Sequence, residues 1–239
     1  MSEPPSAELR ALAASAWSFR WRVECEAEVR FEALAARLDA LSAPAPLADL
    51  ARRASADERR HAAHCARIAA ELGAEVPDKV PPPAPVAPAS LDEEDELTYE
   101  LVAACCVAET VSVAVLTALL PEAEDGALRA VLHELARDEV THARLGWAHL
   151  AAAAARSRVG FLGPLLPAML AGSADEDLFD EGGGDREDEA LLALGVLPRA
   201  MKRELFLAAI DEVVLPGLAR AGVDVAAAKR WIDSRRAPP

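Results

Sequence analysis

A chain of 239 residues with 52% hydrophobic content can bury a sizeable core, as one large domain or two small ones. Its apolar residues are mainly Ala, Leu and Val, and aromatics make up only 4%, which favours packed helices over sheets. A net charge of −15 argues against nucleic acid or an anionic membrane as a partner. No stretch reads as long and apolar enough to span a bilayer. The start, MSEPPSAELR, lacks a charged-then-apolar signal pattern, so the expected location is the cytoplasm.

In chain order, residues 7–42 read as a first helix. Trp17, Trp21, Glu24, Glu28, Phe31, Ala35 and Leu38 recur at helical spacing on one face. Glu28 interrupts that apolar stripe; Glu24 and Glu32, one turn to either side, read as partly solvated, with Glu32 as an extra ligand the alternative. Pro44-Ala45-Pro46 ends the helix. A second helix follows over about 47–72, with Leu47, Leu50, Ala54, Glu58, His61, Cys65, Ile68 and Leu72 on one face and Gly73 as its C-cap. Residues 74–90 are too rich in proline for a helix or a central strand. Ser90 and Glu93 read as a capping box opening a third helix, whose face carries Thr98, Val102, Cys105, Glu109, Val113 and Leu116. Pro121 stops it. A fourth helix is expected over about 122–157, with Leu132, Leu135, Glu139, His142 and His149 in register.

Beyond Gly160 no motif is readable. GFLGPLLPAML suggests a short apolar helix, and residues 172–188 a mobile acidic loop. Residues 189–215 read as a helix disturbed at Pro198, Pro216-Gly217 as a break, and Asp224 as the N-cap of a last short helix. The four cysteines sit in helical segments with no secreted-type framework, and read as small buried hydrophobes.

One segment occurs twice. ADERRHAA (Ala56 to Ala63) and RDEVTHAR (Arg137 to Arg144) each hold Asp-Glu-x-x-His: Asp57, Glu58 and His61, then Asp138, Glu139 and His142. Each copy has a glutamate thirty residues upstream on an apolar segment, Glu28 and Glu109. The chain therefore reads as two helix pairs. Residues three apart share a helix face, so each Glu-x-x-His can reach one point in a bundle core. Inward-facing glutamates need partners, because an unpaired buried carboxylate is very costly. Two divalent cations would neutralise four of them, and a hard, oxygen-rich set with one nitrogen per metal suits iron or manganese.

This doubled pattern resembles the ferritin-like di-iron carboxylate superfamily, in which two helices each give a Glu and two others each give Glu-x-x-His. The likeness spans roughly residues 15–150 and all six ligand positions. It implies an all-α, ferritin-like four-helix bundle over residues 1–158. The proline-rich segment at about 74–90 becomes the long crossover between helices 2 and 3; residues 159–239, outside the likeness, are expected on physical grounds to be a helical extension that packs on the bundle or forms a subunit interface. It also implies two iron ions (Fe/Fe, with Mn/Fe as the alternative) held by Glu28, Glu58, His61, Glu109, Glu139 and His142. Asp57 would accept the spare ring N–H of His142, and Asp138 that of His61. The plainer alternative is that both are helix-surface aspartates in ordinary ion pairs. Arg60 matches an arginine frequent just outside the ligands of oxygen-activating members; Thr141 takes its place in the second copy. The chain departs from some members: no third histidine is placed as in di-iron N-oxygenases. Ser112 and Val113 stand where multicomponent monooxygenases carry a threonine, and Tyr99 lies about three turns from Glu109.

The resemblance implies an oxidoreductase that activates O2 on a small organic substrate, with an electron donor; as an enzyme it is expected to be a monomer or a homodimer. The C-terminal extension, unusual for the subunit of a storage cage, and Arg60 motivate that reading. A ferroxidase or iron-handling protein without an organic substrate is the alternative, since the same six ligands serve it. A binding module that has lost catalysis is disfavoured by the intact ligand set.

Overall fold

Four long helices carry the chain from residue 7 to residue 155 in the computed structural model, which describes residues 5–77, 80–174, 178–179 and 190–236. Helix α1 (Ala7–Ala40) opens on Ser6, whose Oγ accepts the Leu9 N–H at 3.2 Å. Helix α2 (Ala45–Leu72) starts with Pro46 in its first turn and closes on Gly73 in the left-handed region, φ 102°. A short connection makes α1 and α2 antiparallel neighbours, packed along their length. The described part of the proline-rich segment is non-helical and leads to α3 (Glu93–Leu119). Helix α4 (Gly126–Ala155) returns antiparallel to α3 and also packs on α2, closing the bundle.

Two helix starts fall later than the periodicity predicts. Helix α3 is capped by Asp92, not by Ser90: the Asp92 carboxylate accepts the N–H groups of Glu94 and Asp95 at 3.1 and 2.9 Å. Helix α4 begins after Asp125, which accepts from Ala127 and Leu128. In both cases an aspartate outranks the alternatives because its carboxylate satisfies two orphan N–H groups at once and adds negative charge at the positive end of the helix dipole. Arg156 and Arg158, beyond the end of α4, clamp the acidic first turn of α3 through Glu94, Asp92 and Asp95.

Helix α3, 27 residues long, holds an 18-residue window apolar enough for a membrane span, contrary to the reading from sequence; half of that window is buried inside the protein. Its middle, Val102–Ala108, is wound as a π-helix. The wider turn pushes backbone and side chains toward α4, where they meet Gly146. A Cβ there would lie 2.6 Å from Cys105 Cβ, 2.8 Å from Cys106 Sγ and 2.9 Å from the Leu101 carbonyl oxygen. Gly146 is thus the notch into which the widened helix fits.

The extension lies against α3 and α4. It comprises α5 (Leu162–Gly172), α6 (Ala190–Ala193), α7 (residues 199–220) and α8 (Ala226–Arg236). Val102, Val107 and Leu150 of the bundle share one core with Leu166, Phe206, Ile210, Leu215 and Ile232. At the other end Leu192 and Leu197 join Trp17, whose indole N–H donates to the Leu194 carbonyl at 2.9 Å. Pro198 does more than disturb a helix, as it caps the start of α7. The break expected at Pro216-Gly217 is absent, because α7 turns π-helical over Ile210–Val214 just before Pro216. That wider turn accommodates a ring that cannot donate to the preceding turn. Asp224 accepts the Ala226 N–H at the start of α8, as predicted. The acidic loop read at 172–188 falls mostly outside the described residues.

His149 is buried on α4 and shares a 3.0 Å hydrogen bond with Thr98 Oγ1 on α3. Burial pushes its pKa down to about 4 from 6.5, helped by Arg156 and opposed by Glu94. Two measurements test this packing. Gly146→Ala should lose about 1–3 kcal/mol of stability by overpacking against the π segment, read from the denaturant midpoint. His149 should contribute full stability above pH 6.5 and lose it as pH falls toward 4, for a total of roughly 3 kcal/mol. The pH dependence of unfolding in His149→Asn should therefore be flatter across that window than in the wild type.

Candidate metal centre

Six side chains converge where the four long helices meet. Glu24 comes from α1, Glu58 and His61 from α2, Glu109 from α3, and Glu139 and His142 from α4. All six are buried. One group, Glu24, Glu58, His61 and Glu139, offers donor atoms within 4.8 Å of one another; a second, Glu58, Glu109, Glu139 and His142, does the same. Glu58 and Glu139 belong to both groups, the arrangement expected of carboxylates able to bridge two cations.

The glutamate expected from α1 needs correction. Glu28 lies outside the cluster: its side chain is 23% exposed and its Oε1 accepts from Arg59 Nε at 2.7 Å. Glu24, one turn earlier and read as partly solvated, takes the inner place at 6% exposure. Both lie on the same stripe, so periodicity does not separate them. Height and rotation do, because the α1–α2 and α3–α4 connections differ in length and α3 alone has a π segment before its glutamate. Equal spacing in sequence is therefore unequal height in the bundle. Glu32 is exposed, as expected.

The remaining expected positions are brought together. His142 Nδ1 lies 2.9 Å from Glu58 Oε1 and 3.0 Å from Glu139 Oε2, and His61 Nδ1 lies 3.1 Å from Glu58 Oε2. Each ring therefore turns Nδ1 inward. Each Nε2 turns outward to an aspartate of the opposite helix: His142 Nε2 to Asp57 at 3.3 Å and His61 Nε2 to Asp138 at 3.3 Å. With Nε2–H donated to a carboxylate, the Nδ1 lone pair is left for a cation. Arg60 spans both pairs, donating to Asp57 Oδ1 at 3.0 Å and Asp138 Oδ2 at 2.6 Å, and also to Glu134. Ser112, noted in the sequence only as a departure from a threonine, gains a partner the sequence did not show: its Oγ–H donates to Glu139 Oε1 at 3.2 Å. Its position one helical turn after Glu109, facing α4, was the available signal.

The electrostatics test whether cations fit. Burial, followed by repulsion from Glu58 and Glu139, pushes Glu24 well above the ordinary carboxylate range. Burial and then Glu139 and Glu58 do the same to Glu109. Burial also opposes ionisation of Glu58, but hydrogen bonds from His142 and His61 outweigh it and hold Glu58 at about 2. Burial disfavours a charged His142, yet Glu139 and Glu58 raise it to about 11. Protons therefore hold the cluster together in the absence of cations, and four carboxylates with two inward imidazole nitrogens are a hard donor set matched to divalent iron or manganese. The cysteines are no rivals: burial raises the thiol pKa of Cys65, Cys105 and Cys106, leaving them poor ligands at neutral pH. His64 stands outside, 3.4 Å from Glu134.

The two α1 glutamates separate cleanly by mutation. Glu24→Ala should lose about one of two bound metal ions per chain in elemental analysis, whereas Glu28→Ala should keep both. The reverse pattern would return Glu28 to the site.

Comparison with curated proteins gives no match. The rubrerythrin family model, of ferritin-like di-iron proteins, matches residues 20–149, a span holding all six converging side chains. An all-helical bundle with a buried carboxylate–imidazole cluster able to hold metal, and a family match over more than half its length, place the chain in the rubrerythrin family.

Proposed function

We propose that the chain is a non-haem di-iron oxidoreductase that activates O2, acting on a small organic substrate. The observation that carries this reading is the pair of overlapping donor groups sharing Glu58 and Glu139, buried where four helices meet. When bound, two ferrous ions supply the electrons that O2 takes up. The protein's part is to hold and orient. Asp57 and Asp138 fix the tautomers of His142 and His61, and Arg60 ties those two aspartates together. Ser112 holds one oxygen of Glu139. The Phe31 ring lies tilted 5.4 Å from the His142 ring, and Val115, Leu116, Leu132 and Leu135 are buried in the bundle core, which keeps water away. On this reading O2, the substrate and an external electron donor are the partners, a homodimer is the assembly and the cytoplasm is the compartment. The helical extension over α3 and α4 supports an enzyme rather than a cage subunit.

The alternative is a ferroxidase or iron-handling role without an organic substrate, since the same converging carboxylates and imidazoles would serve it. Size-exclusion chromatography separates the readings: a monomer or dimer supports the enzyme, a large hollow assembly the storage role.

Anaerobic loading with ferrous iron followed by O2 should produce an oxidised near-ultraviolet chromophore in the wild type. Glu109→Ala and Glu139→Ala should lose it together with bound iron. Normal iron content in both variants would remove the basis of the assignment.

A further inference from the structure

The two halves of the cluster carry different surrounding charge. Beside Glu24 and His61 stands Arg20, one turn earlier on α1. Its Nε lies 3.6 Å from Glu24 Oε1, and its side chain is only 19% exposed. Its guanidinium carbon sits 5.7 Å from the Trp17 ring, so packing fixes the charge inside the bundle. Behind His61, Asp138 also takes an exposed second guanidinium, from Arg137 at 2.9 Å. The other half differs. Among the described residues no lysine or arginine pairs with Glu109, and the Phe31 ring lies against His142. Arg60 reaches both outer aspartates and so does not distinguish the halves.

We infer that Arg20 makes the two cation positions unequal. The position between Glu109 and His142 fills first, and the position between Glu24 and His61 fills second and more weakly. This inference rests on the two-cation reading proposed above. A fixed positive charge one carboxylate away repels a divalent ion, and at the reduced dielectric of a half-buried site that repulsion amounts to a factor of about ten or more in affinity. Packing on Trp17 holds the guanidinium in place, so the inequality is built into the fold. Arg20 touches no reacting atom in this account; it acts on the metal through Glu24.

The experiment is a calorimetric and visible-absorption titration of the metal-free full chain with Co(II). Wild type should take up two ions in two steps whose dissociation constants differ at least about tenfold. Glu109→Gln should remove the tighter step and Glu24→Gln the weaker one. Arg20→Met, which keeps the aliphatic stem, should bring the second step close to the first while leaving the first unchanged. Arg20→Lys, which keeps the charge and guards against a packing artefact, should retain the gap. Two equal steps in wild type, an unchanged gap in Arg20→Met, or a gap lost in Arg20→Lys would overturn the inference while leaving two bound ions intact. Uptake of fewer than two ions would instead overturn the two-cation reading itself, and this inference with it.

Discussion

Four carboxylates cannot share one dry helix-bundle core as free anions, since each unpaired buried charge costs several kcal/mol even after relaxation. Everything around Glu24, Glu58, Glu109 and Glu139 answers that constraint. Two imidazole rings hydrogen-bond Glu58, the carboxylate common to both donor groups, Ser112 and His142 take oxygens of Glu139, and Arg20 faces Glu24. Raised pKa values on Glu24 and Glu109 mark the remaining imbalance, which protons fill in the bare protein and cations fill better. The family matched is one of ferritin-like di-iron proteins.

The cluster is rigid because its supports lie on different helices. Asp57 of α2 holds a histidine of α4, and Asp138 of α4 holds a histidine of α2. Each pair therefore spans the two halves of the chain, and Arg60 joins the pairs. On the far side, the π segment of α3 is seated on Gly146, one turn beyond His142, and the Glu109 N–H bonds back to the Ala104 carbonyl. The helix that delivers Glu109 is thus wedged against the helix that delivers Glu139 and His142. The C-terminal helices cover the outside of the same two helices through the core built on Phe206, Ile210 and Leu215.

Much of this was legible in the chain itself. The doubled Asp-Glu-x-x-His motif, the apolar stripes and the proline-rich crossover follow from periodicities of 3.6 residues and from the chemistry of proline, both local properties. The crossed Asp–His partnership came only through the resemblance, since Asp57 and Asp138 read equally as surface aspartates in ion pairs; the structure supplies both pairs. Helix starts were less legible: Asp92 and Asp125 each compete with nearby residues for the same orphan amides, and the winner depends on where the neighbouring helix lets the backbone turn.

The sequence by itself determined the helices, the inward face of each and the kind of donor atoms gathered there, since face and chemistry are set by side-chain spacing along one strand of chain. Only the tertiary structure decided that Glu24 rather than Glu28 enters the cluster, that α3 is widened against Gly146, and that Arg20 stands beside one half alone. Those outcomes depend on the height and rotation of one helix relative to another. Loop length, π turns and packing between distant segments set that height and rotation, and no periodicity within a single helix records them.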